Sequence, residues 1–326
     1  MLKDLFEKTN DLIKKSNKVA IAGHLNPDGD CVGSICGLTL ILEAMGKEVY
    51  PFCQITGKHL AYIPGTDKLL SYQGQKDFDL FIMVDLGDRA RLGECSKLIE
   101  GSKFSINFDH HQVNEGICNL VIQEKEASST CEIIARFAMD AGLPITENAA
   151  TALFAGIITD SNRFLYDTAR SACMRIGAGL LDLGADAKTV YLNEYQKMNP
   201  NFLAFQGKVI STAEFFNSGR IALANITGDM LSEYKLSMPE AEAVVDTLRN
   251  LDGVEIAVIV KDVEDKLQKL SLRSKEFYNV SKLASEFSGG GHIKAAGASL
   301  HMSNEKAYKT VKARLSEISL EPGAPQ

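Results

Sequence analysis

Four short stretches of this sequence gather histidine and aspartate in a way that could do chemistry. The first is His24-Leu25-Asn26-Pro27-Asp28-Gly29-Asp30, which follows the apolar run Val19-Ala20-Ile21-Ala22-Gly23. The others are Asp85 after the apolar run 78–84, Asp109-His110-His111 after the run 103–108, and Asp160 within Thr159-Asp160-Ser161. Pro27 and Gly29 forbid regular helix or strand, so His24, Asp28 and Asp30 share a tight loop. Two carboxylates so close repel each other, and a divalent cation is the simplest remedy. Taken alone, the stretch is equally well explained as a polar turn with Asp30 capping the next helix, worth about 1 kcal/mol. The full set of His24, Asp28, Asp30, Asp85, His110 and Asp160 changes that balance. Two imidazoles and four carboxylates would crowd one ion. Two ions about 3.5–4 Å apart could share them through a bridging carboxylate. Nitrogen and oxygen donors without thiolate suit Mn2+, and less exclusively Mg2+, Co2+ or Zn2+. Such a pair favours in-line attack on phosphorus by a water that loses its proton between the two cations.

The elements that must position these residues alternate in type. The pattern predicts helices over 3–16 and 31–45 and strands over 18–23, 47–53, 78–84 and 103–108. That is an α/β fold: a parallel sheet with helices on both faces, which binds ligands at the carboxyl ends of its strands. The polar clusters after 18–23, 78–84 and 103–108 fall there. From 128 the rhythm turns helical, with helices expected over 130–139 and 146–159 and further helical segments to about 195. Asn199-Pro200 marks a linker, giving domains at 1–194 and 206–326 joined by 195–205. In the smaller α/β second domain, strands are expected over 208–216 and 219–226 around an Asn217-Ser218-Gly219 turn. A helix over 239–250, strands over 254–261 and 267–273, and helices over 279–287 and 303–317 follow, before a frayed tail.

Bulk properties exclude several classes. The 326 residues exceed one ordinary core, and 45% hydrophobic with 24% charged residues is globular composition. No apolar run reaches the ~20 residues of a membrane span. The N-terminus mixes acids into its apolar residues and reads as an amphipathic helix, not a signal peptide. Seven scattered cysteines without CxxC spacing fit a reducing cytoplasm and argue against disulfides or a zinc-thiolate site. A net charge of −7 with no basic block disfavours tracking along long nucleic acid, so a polyanionic substrate should be small.

His24-x-x-Pro27-Asp28-Gly29-Asp30, Asp85, Asp109-His110-His111 and Asp160 resemble, in order and spacing, the motifs of the DHH phosphoesterases. Gly289-Gly290-Gly291-His292 with Ala295-Ala296-Gly297 resembles the signature of the DHH-associated C-terminal domain. Size and layout are most similar to the nanoRNase/pAp-phosphatase group, the bifunctional oligoribonuclease and PAP phosphatases. The resemblance implies that His24 and Asp28 hold one metal ion, that Asp30, His110 and Asp160 hold the other, and that Asp85 bridges. It implies that His111 faces the scissile phosphate, with Asp109 supporting His110 from behind. It also implies a cytoplasmic, Mn2+-dependent phosphohydrolase that shortens oligonucleotides (nanoRNA, pApA) to mononucleotides and removes the 3'-phosphate of pAp. Its partners are then short RNA or DNA oligomers and small nucleotides, with no membrane, and dimerisation is a family expectation. A stand-alone cyclic-di-AMP/pApA phosphodiesterase has the same layout, and a non-catalytic nucleotide-binding protein would be marked by lost ligands.

Substrate grip is expected from the second domain. Gly289, Gly290 and Gly291 before His292 let backbone amides approach a phosphate, and Arg273 can grip the same group. Ser129, in Ser128-Ser129-Thr130 at a helix start, offers an anion site in the first domain, or an ordinary cap. Ser161-Asn162-Arg163 stands where family members often have threonine and glycine, which raises a phosphate role for Arg163. His59 and His301 belong to no cluster and read as surface residues.

Overall fold

The computed structural model describes residues 2–54, 58–166, 168–264 and 266–320. The chain separates into two compact units, Met1–Lys197 and Met198–Gln326.

The first unit is built on β1 (Lys18–Ala22), β2 (Glu48–Phe52), β3 (Phe78–Val84), β4 (Ser102–Asp109) and β5 (Leu120–Gln123). They form a five-stranded, wholly parallel sheet in the order β2-β1-β3-β4-β5. The α-helices are α1 (Leu2–Lys15), α2 (Gly29–Ala44), α3 (Thr130–Asp140), α4 (Glu147–Asp160), α5 (Ser171–Asp182) and α6 (Ala187–Tyr195). Strand alternation divides the core. Val19, Ile21, Leu80 and Ile82 face a cluster filled by α1–α6, whereas Ala20, Ala22, Phe81 and Met83 face Phe52, Phe78, Leu92 and Leu98. Helical cover is therefore unequal. The α-helices share one face, and the 3₁₀ stretch Ala90–Leu98 closes the other. The short edge strand β5 carries too few residues to show in the sequence pattern.

Two features of this unit position the site. After β1 the chain crosses to β2 on one side, and after β3 it goes to β4 on the other. That reversal opens a crevice at the carboxyl ends of β1 and β3. Helix α2 also packs directly on α4: a Cβ on Gly33 would lie 2.6 Å from the Ala152 carbonyl oxygen. This contact brings the start of α2, with Asp30, close to the end of α4, with Asp160.

The second unit contains β6 (Glu214–Phe216), β7 (Ile221–Ile226), β8 (Ile256–Glu264), β9 (Leu267–Ser274), β10 (Gly290–Gly291) and β11 (Ala295–Leu300). Their order is β10-β11-β9-β8-β7-β6, antiparallel except for β7–β8. Around it lie α7 (Pro200–Ser211), α8 (Gly228–Tyr234), α9 (Met238–Glu242), α10 (Val244–Asn250), α11 (Val280–Ser285) and α12 (Asn304–Ser316). The boundary between the units falls inside the expected linker 195–205, of which 196–199 lies outside the helices, since Tyr195 ends α6 and Pro200 opens α7. The stretch 208–211, expected as strand, is helix instead. Asn199 caps α7, Pro200 suits its first turn, and Phe202, Phe205 and Val209 recur at helical spacing. Asn217, Ser218 and Gly219 do form a turn, all at positive φ. Of the tail expected to fray after the last helix, residues 321–326 lie outside the described residues. Among the described residues no helix is long and apolar enough to cross a membrane. All seven cysteines are free thiols.

Candidate metal centre

The parallel register places the ends of β1 and β3 side by side, Ala22 opposite Met83. The residues just beyond converge: His24 Nε2 lies 3.3 Å from Asp85 Oδ2. β4 flanks β3 on the other side and brings His110 Nε2 to 3.5 Å from Asp85 Oδ1. Asp85 thus turns one oxygen to each imidazole. It does so at φ 63°, a left-handed conformation that costs a non-glycine residue about 1–2 kcal/mol. Its N–H donates to the Phe108 carbonyl at 3.0 Å, and Thr130 Oγ1 donates to Oδ1 at 3.1 Å, so the surroundings hold it there. His24 Nδ1 donates to the Leu25 carbonyl at 2.9 Å, which leaves Nε2 as the nitrogen that faces Asp85.

On the His110 side, Nε2 is 3.3 Å from Asp160 Oδ2 and 3.9 Å from Asp30 Oδ2. Among the described residues three donor sets each lie within 4.8 Å: His24, Cys31 and Asp85; Asp85, His110 and His111; Asp30, His110 and Asp160. Mutually repelling carboxylates, the imidazoles and the Cys31 thiol, with Asp85 common to two of the sets, are a donor collection that fits divalent cations.

Several expectations shift. Asp30 does not cap α2. Asp28 does, its Oδ1 accepting from Cys31 N at 3.0 Å. Asp30 instead accepts from the first amides of α3, Thr130 N at 2.7 Å and Cys131 N at 2.9 Å. That fixes the carboxylate and also consumes the anion site expected at Ser129. Ser129 is fully buried, and its Oγ accepts from Glu132 N as the α3 cap, the second of the two roles open to it from the sequence. Asp109, expected behind His110, pairs with His111 instead, Oδ1 to Nδ1 at 2.7 Å. The reason is strand alternation: residues two apart share a side. Asp28 is the outlying member. Its side chain is 60% exposed and lies 3.8 Å from His24. Arg163 points elsewhere, its guanidinium 4.4 Å above the Tyr195 ring. His59 and His301 are exposed.

Proton affinities record the crowding. Burial, then the negative charges of Asp85 and Asp160, raises Asp30 well above the usual carboxylate range. Burial also pushes Asp160 up to about 7, with Asp28 and Asp85 adding to it against the pull of His110. Burial works against charge at Asp85 too, yet hydrogen bonds from His110 and His24 hold it well below the ordinary value. Burial opposes charging of both histidines, and carboxylates overcome it: Asp28 and Asp85 raise His24, and Asp85 and Asp160 raise His110. Without a cation this cluster holds protons that a cation would displace.

Sequence reasoning missed Cys31, buried beside His24, and Thr130, which steadies Asp85. Neither stands in a pattern that announces its role. In the second unit, Arg273 and Gly289, Gly290 and Gly291 line one cavity of about 570 Å³ with Lys261 and Glu242. A Cβ on Gly289 would lie 2.2 Å from the Gly297 carbonyl oxygen, so only glycine lets β10 approach β11. Arg273 is held by Nη1 donating to the Leu272 carbonyl at 3.1 Å and by Asp246, 3.6 Å from Nε. Lys261, also unforeseen, donates to Glu242 at 2.6 Å. His292 is exposed on the next residue and is not among the cavity's lining.

The model for the DHH family, N-terminal domain, matches residues 18–157, and that for the DHHA1 domain matches 221–317. The chain carries a DHH N-terminal domain followed by a DHHA1 domain. Among relatives of this DHH chain, the bifunctional oligoribonuclease and PAP phosphatase NrnA of Thermus thermophilus is 27% identical over 90% of this chain and 87% of that protein. The cyclic-di-AMP phosphodiesterase PdeA of Listeria monocytogenes is 26% identical over 89% of this chain and 46% of that one. The crystal structure of an exopolyphosphatase-related protein from Bacteroides fragilis aligns with a TM-score of 0.90 at 25% identity, covering 97% of this DHH chain and 96% of its own.

Proposed function

We propose that this chain is a metal-dependent phosphohydrolase that cuts short oligonucleotides such as pApA to mononucleotides and removes the 3'-phosphate of pAp. The observation that carries this reading is Asp85 offering one oxygen to His24 and the other to His110. It is what a carboxylate shared by two cations requires. His24, Asp28 and Asp85 would hold one ion, and Asp30, His110, Asp160 and Asp85 the other. Mn2+ suits these donors best, with Mg2+ or Co2+ as substitutes. When bound, the ions activate water and neutralise the charge that develops on phosphate.

The remaining chemistry belongs to the chain. His111 Nδ1 donates to Asp109, which aims the ring so that Nε2 meets the phosphate or the leaving oxygen. In the second unit the glycine run and Arg273, which line one cavity, would grip a phosphate. The NrnA relative, similar over nearly its whole length, supports short oligoribonucleotides and pAp as substrates. The absence of a basic block in a chain of net charge −7 agrees with a small substrate in place of a long one.

The test is a product time course with an end-labelled RNA pentamer and Mn2+, beside pApA, pAp and cyclic-di-AMP. Mononucleotides from the oligomers and adenosine 5'-phosphate from pAp are expected. Intact oligomers after long incubation would sink the reading. Turnover confined to cyclic-di-AMP and pApA would favour the PdeA-like alternative.

A further inference from the structure

The two sides of the cage are chemically unlike. Asp30, His110 and Asp160 offer nitrogen and oxygen only, whereas the His24 side contains a thiol. Cys31 Sγ lies within 4.8 Å of the donor atoms of both His24 and Asp85, and the residue has no solvent exposure. Its place is fixed by backbone. Cys31 sits in the first turn of α2, its N–H bonded to the Asp28 cap, and its sulfur fills the space beside Gly23, where a Cβ would lie 2.2 Å from it. Asp28, whose side chain is 60% exposed, gives one oxygen, Oδ1, to that cap and reaches the His24 side from its open edge. At the deep, closed end of the His24 side the further donor is sulfur.

We propose that Cys31 is a metal-selecting ligand that makes the His24 position prefer a softer divalent ion than the Asp30–His110–Asp160 position. The two positions then favour different metals, with a thiophilic ion such as Zn2+, Co2+ or Cd2+ at the first and Mn2+ or Mg2+ at the second. Ligation breaks the S–H bond as the sulfur–metal bond forms, and the proton leaves to solvent. This inference rests on the dinuclear reading of the cage.

The experiment is titration of the metal-free, full-length protein with Co2+, followed by absorption spectroscopy and by equilibrium dialysis for stoichiometry. Wild type is expected to develop the near-ultraviolet sulfur-to-cobalt charge-transfer band together with the visible ligand-field bands. Cys36→Ala, further along α2, keeps both. Cys31→Ala and Cys31→Ser lose the charge-transfer band and keep the ligand-field bands. Cobalt bound at stoichiometric amounts without that band in wild type overturns the proposal, as does a band that survives in both Cys31 variants. If wild type binds no cobalt at all, the metal cage itself is wrong, and the proposal falls with it. Should one variant fail to fold, the other and the wild-type spectrum still decide.

Discussion

Asp109 Oδ1 stands 2.7 Å from His111 Nδ1, and the same oxygen accepts the His111 backbone N–H at 3.1 Å. The second oxygen accepts from Asn114 Nδ2 at 2.7 Å. A fully buried carboxylate is thus committed to holding one imidazole in one orientation. Asp109→Asn keeps the shape and removes the charge. It is expected to lower kcat about 10–100-fold, as loss of a ligand-orienting partner does. Bound Mn2+ should be unchanged, because the partner is His111 and not His110. Steady-state kinetics on pApA with metal analysis of the same samples checks both. An undiminished kcat would remove Asp109 from the machinery.

Asp85→Ala removes the oxygen facing His24 and the oxygen facing His110 together. Loss of both divalent ions, not one, is expected, with activity falling by about a thousandfold or more. Calorimetric titration with Mn2+ gives the stoichiometry directly. A variant that still binds two ions would show that Asp85 does not bridge.

Much of this centre was legible in the sequence because its residues sit just past apolar strands, and a parallel sheet gathers strand ends. His24, Asp85 and His110 follow from that alone. Partnerships were not legible. Whether Asp109 serves His110 or His111 depends on side-chain alternation past the last paired residue. Whether Asp30 or Asp28 caps α2 depends on where the first helical turn starts. That Ser129 is a helix cap beside occupied amides has a tertiary reason, since Asp30, distant in sequence, takes the first amides of α3. The strand expected over 208–216 failed because Phe202, Phe205 and Val209 set a helical period through Ser211.

The cage should also make metal binding strongly pH-dependent. In the metal-free fold Asp160 is raised from 3.8 to about 7, and His24 and His110 are raised above 6.5. Groups raised on folding stabilise the metal-free fold fully below their unfolded values, and that contribution fades as pH rises through the folded ones. A cation must displace the same protons, so its affinity moves the other way, by roughly tenfold per pH unit for each proton released. The increase in Tm caused by Mn2+ is expected to grow from about pH 6 to about pH 8. Thermal scans with and without Mn2+ across that range test it. A gain independent of pH would mean the protons lie elsewhere.

Gly156 couples packing to the site. A Cβ there would lie 2.3 Å from Cys131 Sγ and 2.9 Å from Asp30 Oδ1. Gly156→Ala should cost about 1–3 kcal/mol through overpacking and displace Asp30, so Mn2+ affinity falls along with Tm. Gly207→Ala, in α7 with nothing within 4 Å of the new methyl, should gain about 0.5–1 kcal/mol instead. Equal effects from the two changes would show that α4 does not position Asp30.

Arg273 is the clearest separation of grip from chemistry. It is held against Asp246 and the Leu272 carbonyl while lining the glycine cavity of the second unit. No metal-donor candidate of the first unit touches that role, so Arg273→Ala should leave Mn2+ binding unaltered. Losing a charge-assisted contact to phosphate costs about 1.5–3 kcal/mol, which raises KM for pApA roughly 10–100-fold. Arg273→Lys should recover only part of this, because a lysine cannot make the paired contact. The measurement is KM and kcat on pApA at saturating Mn2+. A loss confined to kcat, with KM unchanged, would assign Arg273 to the chemical step and not to binding.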